Sequence, residues 1–95
     1  MTQKLPEYIS EVAEGYKITL AKPLDIDGAK VSEIVMREPT VQDLLAAEMQ
    51  AKGMGSAMQE VTMFANLCNI SPEQVKTMTV RNYGRVQETF KLFTD

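Results

Sequence analysis

The chain has 95 residues, with ten basic against thirteen acidic side chains and a net charge of −3. It is sized for one domain and carries no strong field for nucleic acid or an anionic membrane. It has no histidine and one cysteine, which excludes a Ser-His-carboxylate triad, an internal disulfide and zinc sites built from Cys and His. Composition describes a small soluble intracellular protein that is not an enzyme and implies no cofactor or metal.

Residues 1–14 contain no apolar run and read as a polar arm, neither a secretory signal nor an anchor. The longest aliphatic stretch, Leu44-Leu45-Ala46-Ala47, is far short of the roughly 20 residues that span a bilayer. Residues 15–95 read as a single α+β domain, an N-terminal antiparallel β-hairpin over 16–38 followed by three to four helices over 40–93. Asp27-Gly28 is a strong two-residue hairpin signal, setting Ile26 opposite Ala29 and Leu24 opposite Val31. Continued unbroken, that register pairs Lys22 with Glu33, Leu20 with Val35 and Ile18 with Arg37 on one face. It pairs Ala21 with Ile34 and Thr19 with Met36 on the other, a face more apolar than solvent exposure warrants. Pro23 has no N–H to donate and belongs at an edge or a bulge.

Pro39-Thr40 closes the second strand, and Thr40 with Asp43 forms a capping arrangement for the first helix. Val41, Leu45 and Met49 recur as its stripe, with Leu44 beside them, to about Ala51; Met49 reads as core filling. Gly53-Met54-Gly55 breaks the chain before a second helix over Ser56–Cys68, whose stripe is Ala57, Val61, Phe64 and Cys68 and whose terminator is Asn69. Ser71-Pro72-Glu73-Gln74 is a capping box with proline in the first turn, opening a short helix to about Met78. Thr79 caps a fourth helix lined by Val80, Tyr83, Val86, Phe90 and Phe93, with Gly84 either a close-contact point or a weak one.

The chemistry of catalysis is missing. Cys68 sits on an apolar stripe and reads as a buried structural thiol. Asp25-Ile26-Asp27-Gly28 lacks the later oxygen ligands of a calcium loop, and Gly53 and Gly55 lack the Lys-Ser/Thr of a phosphate loop. Arg81 and Arg85 share a helix face but make too narrow a basic footprint for DNA. Apolar surface remains. Met54 lies between two glycines, Met58 and Met63 fall off the line of the second helix, and Ile34 and Met36 lie on the second hairpin face. These five are the candidate protein-binding residues, methionine being suited to irregular partners.

The segment Tyr16-Lys17-Ile18-Thr19-Leu20-Ala21-Lys22-Pro23-Leu24, then Val31-Ser32-Glu33-Ile34-Val35-Met36-Arg37-Glu38-Pro39-Thr40 and Asp43-Leu44, resembles the tail assembly chaperone family of contractile-tailed phages and prophages. Leu67-Cys68-Asn69, Val75 and Arg81-Asn82-Tyr83 extend the resemblance through residues 16–93. It implies a non-virion protein of the bacterial host cytoplasm that binds the tape measure protein, keeps it soluble and helps recruit tail tube subunits. It also implies a longer, frameshifted form of the same chain as a partner, and leaves room for a homo-oligomer. No catalytic residue is carried over. Arg37, Glu38, Pro39, Thr40 and Asp43 read as a structural corner, comprising an ion pair, a strand stop and a helix cap. A small structural component of the tail and a small regulator binding protein or DNA are the competing readings.

Overall fold

The structure is a computed structural model describing residues 4–94; Met1–Gln3 of the expected arm, and Asp95, lie outside the described residues. Seven elements follow in chain order: β1 (Ile9–Val12), β2 (Gly15–Ile26), β3 (Ala29–Arg37), α1 (Val41–Gln50), α2 (Ser56–Cys68), α3 (Pro72–Lys76) and α4 (Val80–Thr94). The strands form one antiparallel sheet in the order β1-β2-β3, with α2 and α4 packed against it. The fold is α+β.

Residues 9–12 do not behave as an arm. They form β1, which pairs with β2 from Ile9↔Ile18 to Val12↔Gly15 and buries Ile9 on the core side. Four residues are too few to show a period, so the strand left no pattern in the sequence. Where the chain turns back into β2, Gly15 permits close approach to β3: a Cβ there would lie 2.1 Å from the Met36 carbonyl oxygen.

The turn at Asp27-Gly28 has positive φ at both residues, and the Gly28 N–H donates to Asp25 Oδ1 at 2.9 Å. Pairing runs through Ile26↔Ala29, Asp25↔Lys30 and Leu24↔Val31, and then breaks. Residues 20–23 bulge opposite Ser32 alone, and the ladder resumes at Thr19↔Glu33, Ile18↔Ile34 and Tyr16↔Met36. The register continued through Lys22–Glu33, Leu20–Val35 and Ile18–Arg37 is therefore overturned. Pro23 cannot donate to the ladder, and an odd-numbered slip exchanges the faces of the strand. That exchange puts Ile34 and Met36 on the same side as Ile18.

Asn82 of α4 fills the gap in hydrogen bonding that the bulge creates. Its Oδ1 accepts from the Ala21 and Lys22 N–H groups at 2.7 and 3.3 Å, and its Nδ2 donates to the Lys22 carbonyl at 2.8 Å. The side chain is 2% exposed. Arg85, one turn on, donates to the Thr19 carbonyl at 2.8 Å and lies over the Tyr8 ring at 4.2 Å, while the Tyr8 hydroxyl donates to Glu88. Arg85 thus ties Tyr8, the residue before β1, to β2 and α4.

Between sheet and helices sits the core: Ile18, Leu20, Leu24, Ile34 and Met36 from the sheet meet Phe64, Leu67 and Cys68 of α2 and Val86 of α4. Phe64 makes tilted contacts with Tyr83 and Phe90 at 5.6 and 5.4 Å between ring centres. The buried hydroxyls of Thr62 and Thr89 donate to the Met58 and Arg85 carbonyls of their own helices. Asn69 ends α2 in the left-handed conformation, and Ser71 and Gln74 cap α3 reciprocally. α3 stops at Lys76, short of the expected Met78, because Thr77 donates its hydroxyl to the Gln74 carbonyl and closes the turn. Val80, expected on the apolar stripe of α4, projects into solvent from its first turn.

Candidate protein-binding surface

The connection from β3 to α1 sets the direction in which α1 points. Arg37 donates to Asp43 through both guanidinium nitrogens, Nη1 to Oδ2 at 2.7 Å and Nη2 to Oδ1 at 2.6 Å. Asp43 Oδ2 also accepts from the Thr40 N–H at 2.9 Å, and the Asp43 N–H donates to Thr40 Oγ1 at 3.3 Å, completing a capping box. Hydrogen bonds from Arg37, then those from Thr40, hold the Asp43 carboxyl well below the usual carboxylate range; the same bridge raises Arg37. Pro39 is half-buried at the corner, while Glu38 is exposed. A bidentate pair of this kind fixes orientation as well as charge.

With Asp43 turned toward the protein, the inward line of α1 becomes Asp43 and Ala47, continued by Ala51 at its C-cap. The small alanine side chains let α1 lie close to α2, and Asn66 of α2 donates to Gln50 at 3.0 Å across the contact. Leu45 lies about 200° around the helix from Asp43, so the apolar stripe of α1 turns to solvent. Val41 is 72% exposed, Leu45 52% and Met49 74%, with Leu44 at 48% and Met54, beyond the helix end, at 60%. Met49 as core filling is overturned for this reason.

Beside the stripe runs a groove between α1 and α2. A cavity of ≈ 190 Å³ opens there, lined by Leu44, Ala47, Glu48, Gln59, Glu60, Met63, Phe64 and Phe90. It continues past Glu48 and Gln59 toward Leu45, Met49 and Lys52. Glu60 Oε1 accepts from the Tyr83 hydroxyl at 2.6 Å and from Gln87 Nε2 at 3.0 Å. Burial first, and then the Glu60 carboxylate, push the Tyr83 phenol above its ordinary value.

Of the five candidate binding residues, the structure brings Met54 to the surface and leaves Met58 half-buried. It buries the other three, Ile34 at 6% exposed, Met36 at 0% and Met63 at 8%, and of these Met63 alone lines the α1–α2 groove described above. Ile34 and Met36 were displaced inward by the register slip, and Met63 faces the core from α2, forming part of the groove wall. In their place stand Val41, Leu44, Leu45 and Met49. The signal for them was in the sequence as a second, small-residue line through Asp43, Ala47 and Ala51, with Arg37 available to pair with Asp43.

Cys68 is buried, and burial pushes its thiol up to about 12. Among the described residues no group of three or more His, Cys, Asp or Glu side chains is placed to hold a metal ion. No helix among them is long and apolar enough to cross a membrane.

A small sheet with a tightly held α4, and an α1 turned outward, defines a compact α+β protein whose most distinctive surface is apolar and unpartnered. Residues 17–95 match the family described as phage tail assembly chaperone proteins, E, or 41 or 14, and the chain belongs to that family. Its role accordingly lies in phage tail assembly. No curated protein and no solved structure matches the chain.

Proposed function

We propose that this chaperone binds the tape measure protein through the outward face of α1, keeps it soluble in the bacterial host cytoplasm, and helps bring tail tube subunits to it. The protein acts without catalysis and is left out of the finished particle. A longer, frameshifted form of the same chain is a further partner in this scheme. One observation carries the reading: five large apolar side chains, Val41, Leu44, Leu45, Met49 and Met54, stand in solvent on one helix and the loop after it.

A holding chaperone needs apolar surface that its own fold does not consume. Burying a Leu or Met side chain is worth about 1.5–3 kcal/mol from full exposure, so half-exposed residues gain about 1 kcal/mol each when a client covers them. Several together give binding that is useful yet reversible. Methionine adapts to clients of irregular shape. Co-expression with the tape measure protein, followed by size-exclusion chromatography with light scattering, tests the reading. The expected result is co-elution with a client that precipitates when made alone. A client that stays insoluble, with this protein eluting unchanged and the longer form also failing, would contradict it.

A further inference from the structure

Resting on that partner-binding reading, we propose that the groove between α1 and α2 takes an amphipathic helix of the partner whose apolar face is flanked by lysine or arginine. The floor is apolar, formed by Leu44, Met63, Phe64 and Phe90, and the rim carries two carboxylates, Glu48 and Glu60. Among the described residues neither carboxylate has an ion-pair partner. Glu60 is oriented by Tyr83 and Gln87, both neutral donors, so its charge stays uncompensated. An acidic rim over an apolar floor favours a ligand with the opposite pattern, cations beside an apolar stripe.

The dimensions agree. α1 has ten residues and is about 15 Å long, which matches about three turns of a bound helix. Such a partner reaches the floor with apolar residues at i, i+3, i+4 and i+7, while its flanking cations reach Glu48 and Glu60.

A second copy of this chain fits less well. α1 contains no lysine or arginine, and the groove is lined by one cation, Lys52 just beyond the helix, so two copies laid together would set four rim carboxylates against two lysines. A stripe of this length offers on the order of 300 Å² per partner, against the roughly 800 Å² per partner that a stable dimer buries. An anionic membrane is disfavoured by the same carboxylates.

The test uses the whole protein and three synthetic helical peptides of equal length. One carries leucines at i, i+3, i+4 and i+7 flanked by lysines, one the same leucines flanked by glutamates, and one the lysine composition in scrambled order. Isothermal titration at low and high salt reads the affinities. The lysine-flanked peptide is expected to bind at least ~10-fold tighter than the other two at low salt. High salt and Glu48→Gln should each narrow its advantage over the glutamate peptide, and Leu44→Asp should abolish binding of both. Equal affinity for the lysine and glutamate peptides, no binding of either, or an advantage untouched by Glu48→Gln would overturn the proposal. So would a stable dimer by light scattering that Leu44→Asp disperses.

Failure of this proposal is separable from failure of the functional reading. Client solubilisation without peptide discrimination removes the groove's charge preference and leaves the chaperone role. Discrimination without client solubilisation keeps the groove and removes the tape measure protein as its occupant.

Discussion

α1 and α4 carry similar apolar stripes and place them in opposite directions. On α4, Val86 is buried while Tyr83, Phe90 and Phe93 pack against the core, with Phe93 meeting Tyr16 at 4.9 Å between rings. On α1, Val41, Leu45 and Met49 face solvent. Periodicity identifies that a helix has an apolar face, but the polar contacts at its inner edge decide where that face points. α4 is drawn onto the sheet by Asn82 in the bulge and by Arg85 on Thr19. α1 is turned the other way by Arg37 holding Asp43. One helix completes the fold, and the other leaves its apolar face in solvent.

The largest expected effect breaks the α4 side. Asn82→Ala leaves the Ala21 and Lys22 N–H groups and the Lys22 carbonyl without partners in a partly buried bulge. It should destabilise the protein by about 2–3 kcal/mol. Urea unfolding measures this directly, and Asn82→Asp, which keeps the acceptor but loses the donor, should recover only part of the loss.

Next comes the corner that aims α1. Asp43→Asn, which weakens the bridge to Arg37, should cost about 1–2 kcal/mol at neutral pH, less than a fully buried pair because Arg37 is partly exposed. The sign with pH follows from the direction of the shift. The folded-state value of Asp43 is depressed, so its stabilisation is complete above the unfolded value of about 3.9 and is lost as pH falls through and below it. Chemical denaturation from neutral pH down to about pH 2 should therefore show the gap between the wild type and Asp43→Asn closing as the solution becomes more acid. A gap independent of pH would mean that the bridge does not hold the corner.

The smallest effect concerns Gly84, the one glycine within α4. A Cβ there meets nothing within 4 Å, so it is a weak point rather than a place of close contact. Gly84→Ala should raise stability by about 0.5–1 kcal/mol, read from a higher thermal midpoint. A loss would mean that α4 packs more tightly there than its surroundings indicate.

What could be read from the sequence was what short-range chemistry decides. The Asp27-Gly28 turn, the Ser71–Gln74 box, the Asn69 terminator and the extent of α2 each rest on residues a few positions apart. The pairing register beyond Pro23 depends on Asn82, about 60 residues away, satisfying the bulge. β1 has four residues and no period of its own, and it is recognisable only once Ile9 is seen against Ile18. The exposure of the apolar side chains was misread for a related reason. Methionines off the α2 stripe looked exposed, yet Met63 fills space against the core, while the regular stripe on α1 looked buried and is not.

The most direct test of the outward-facing α1 is the double variant Leu45→Gln, Met49→Gln, measured for thermal stability and for its ability to keep the tape measure protein soluble on co-expression. Surface substitutions of this kind change stability by about 0.5 kcal/mol or less, so the midpoint should stay within a few degrees of the wild type while client solubility is lost. A midpoint lowered by many degrees would place the stripe in the fold rather than at a partner's disposal, and undiminished client solubility would show that the partner binds elsewhere.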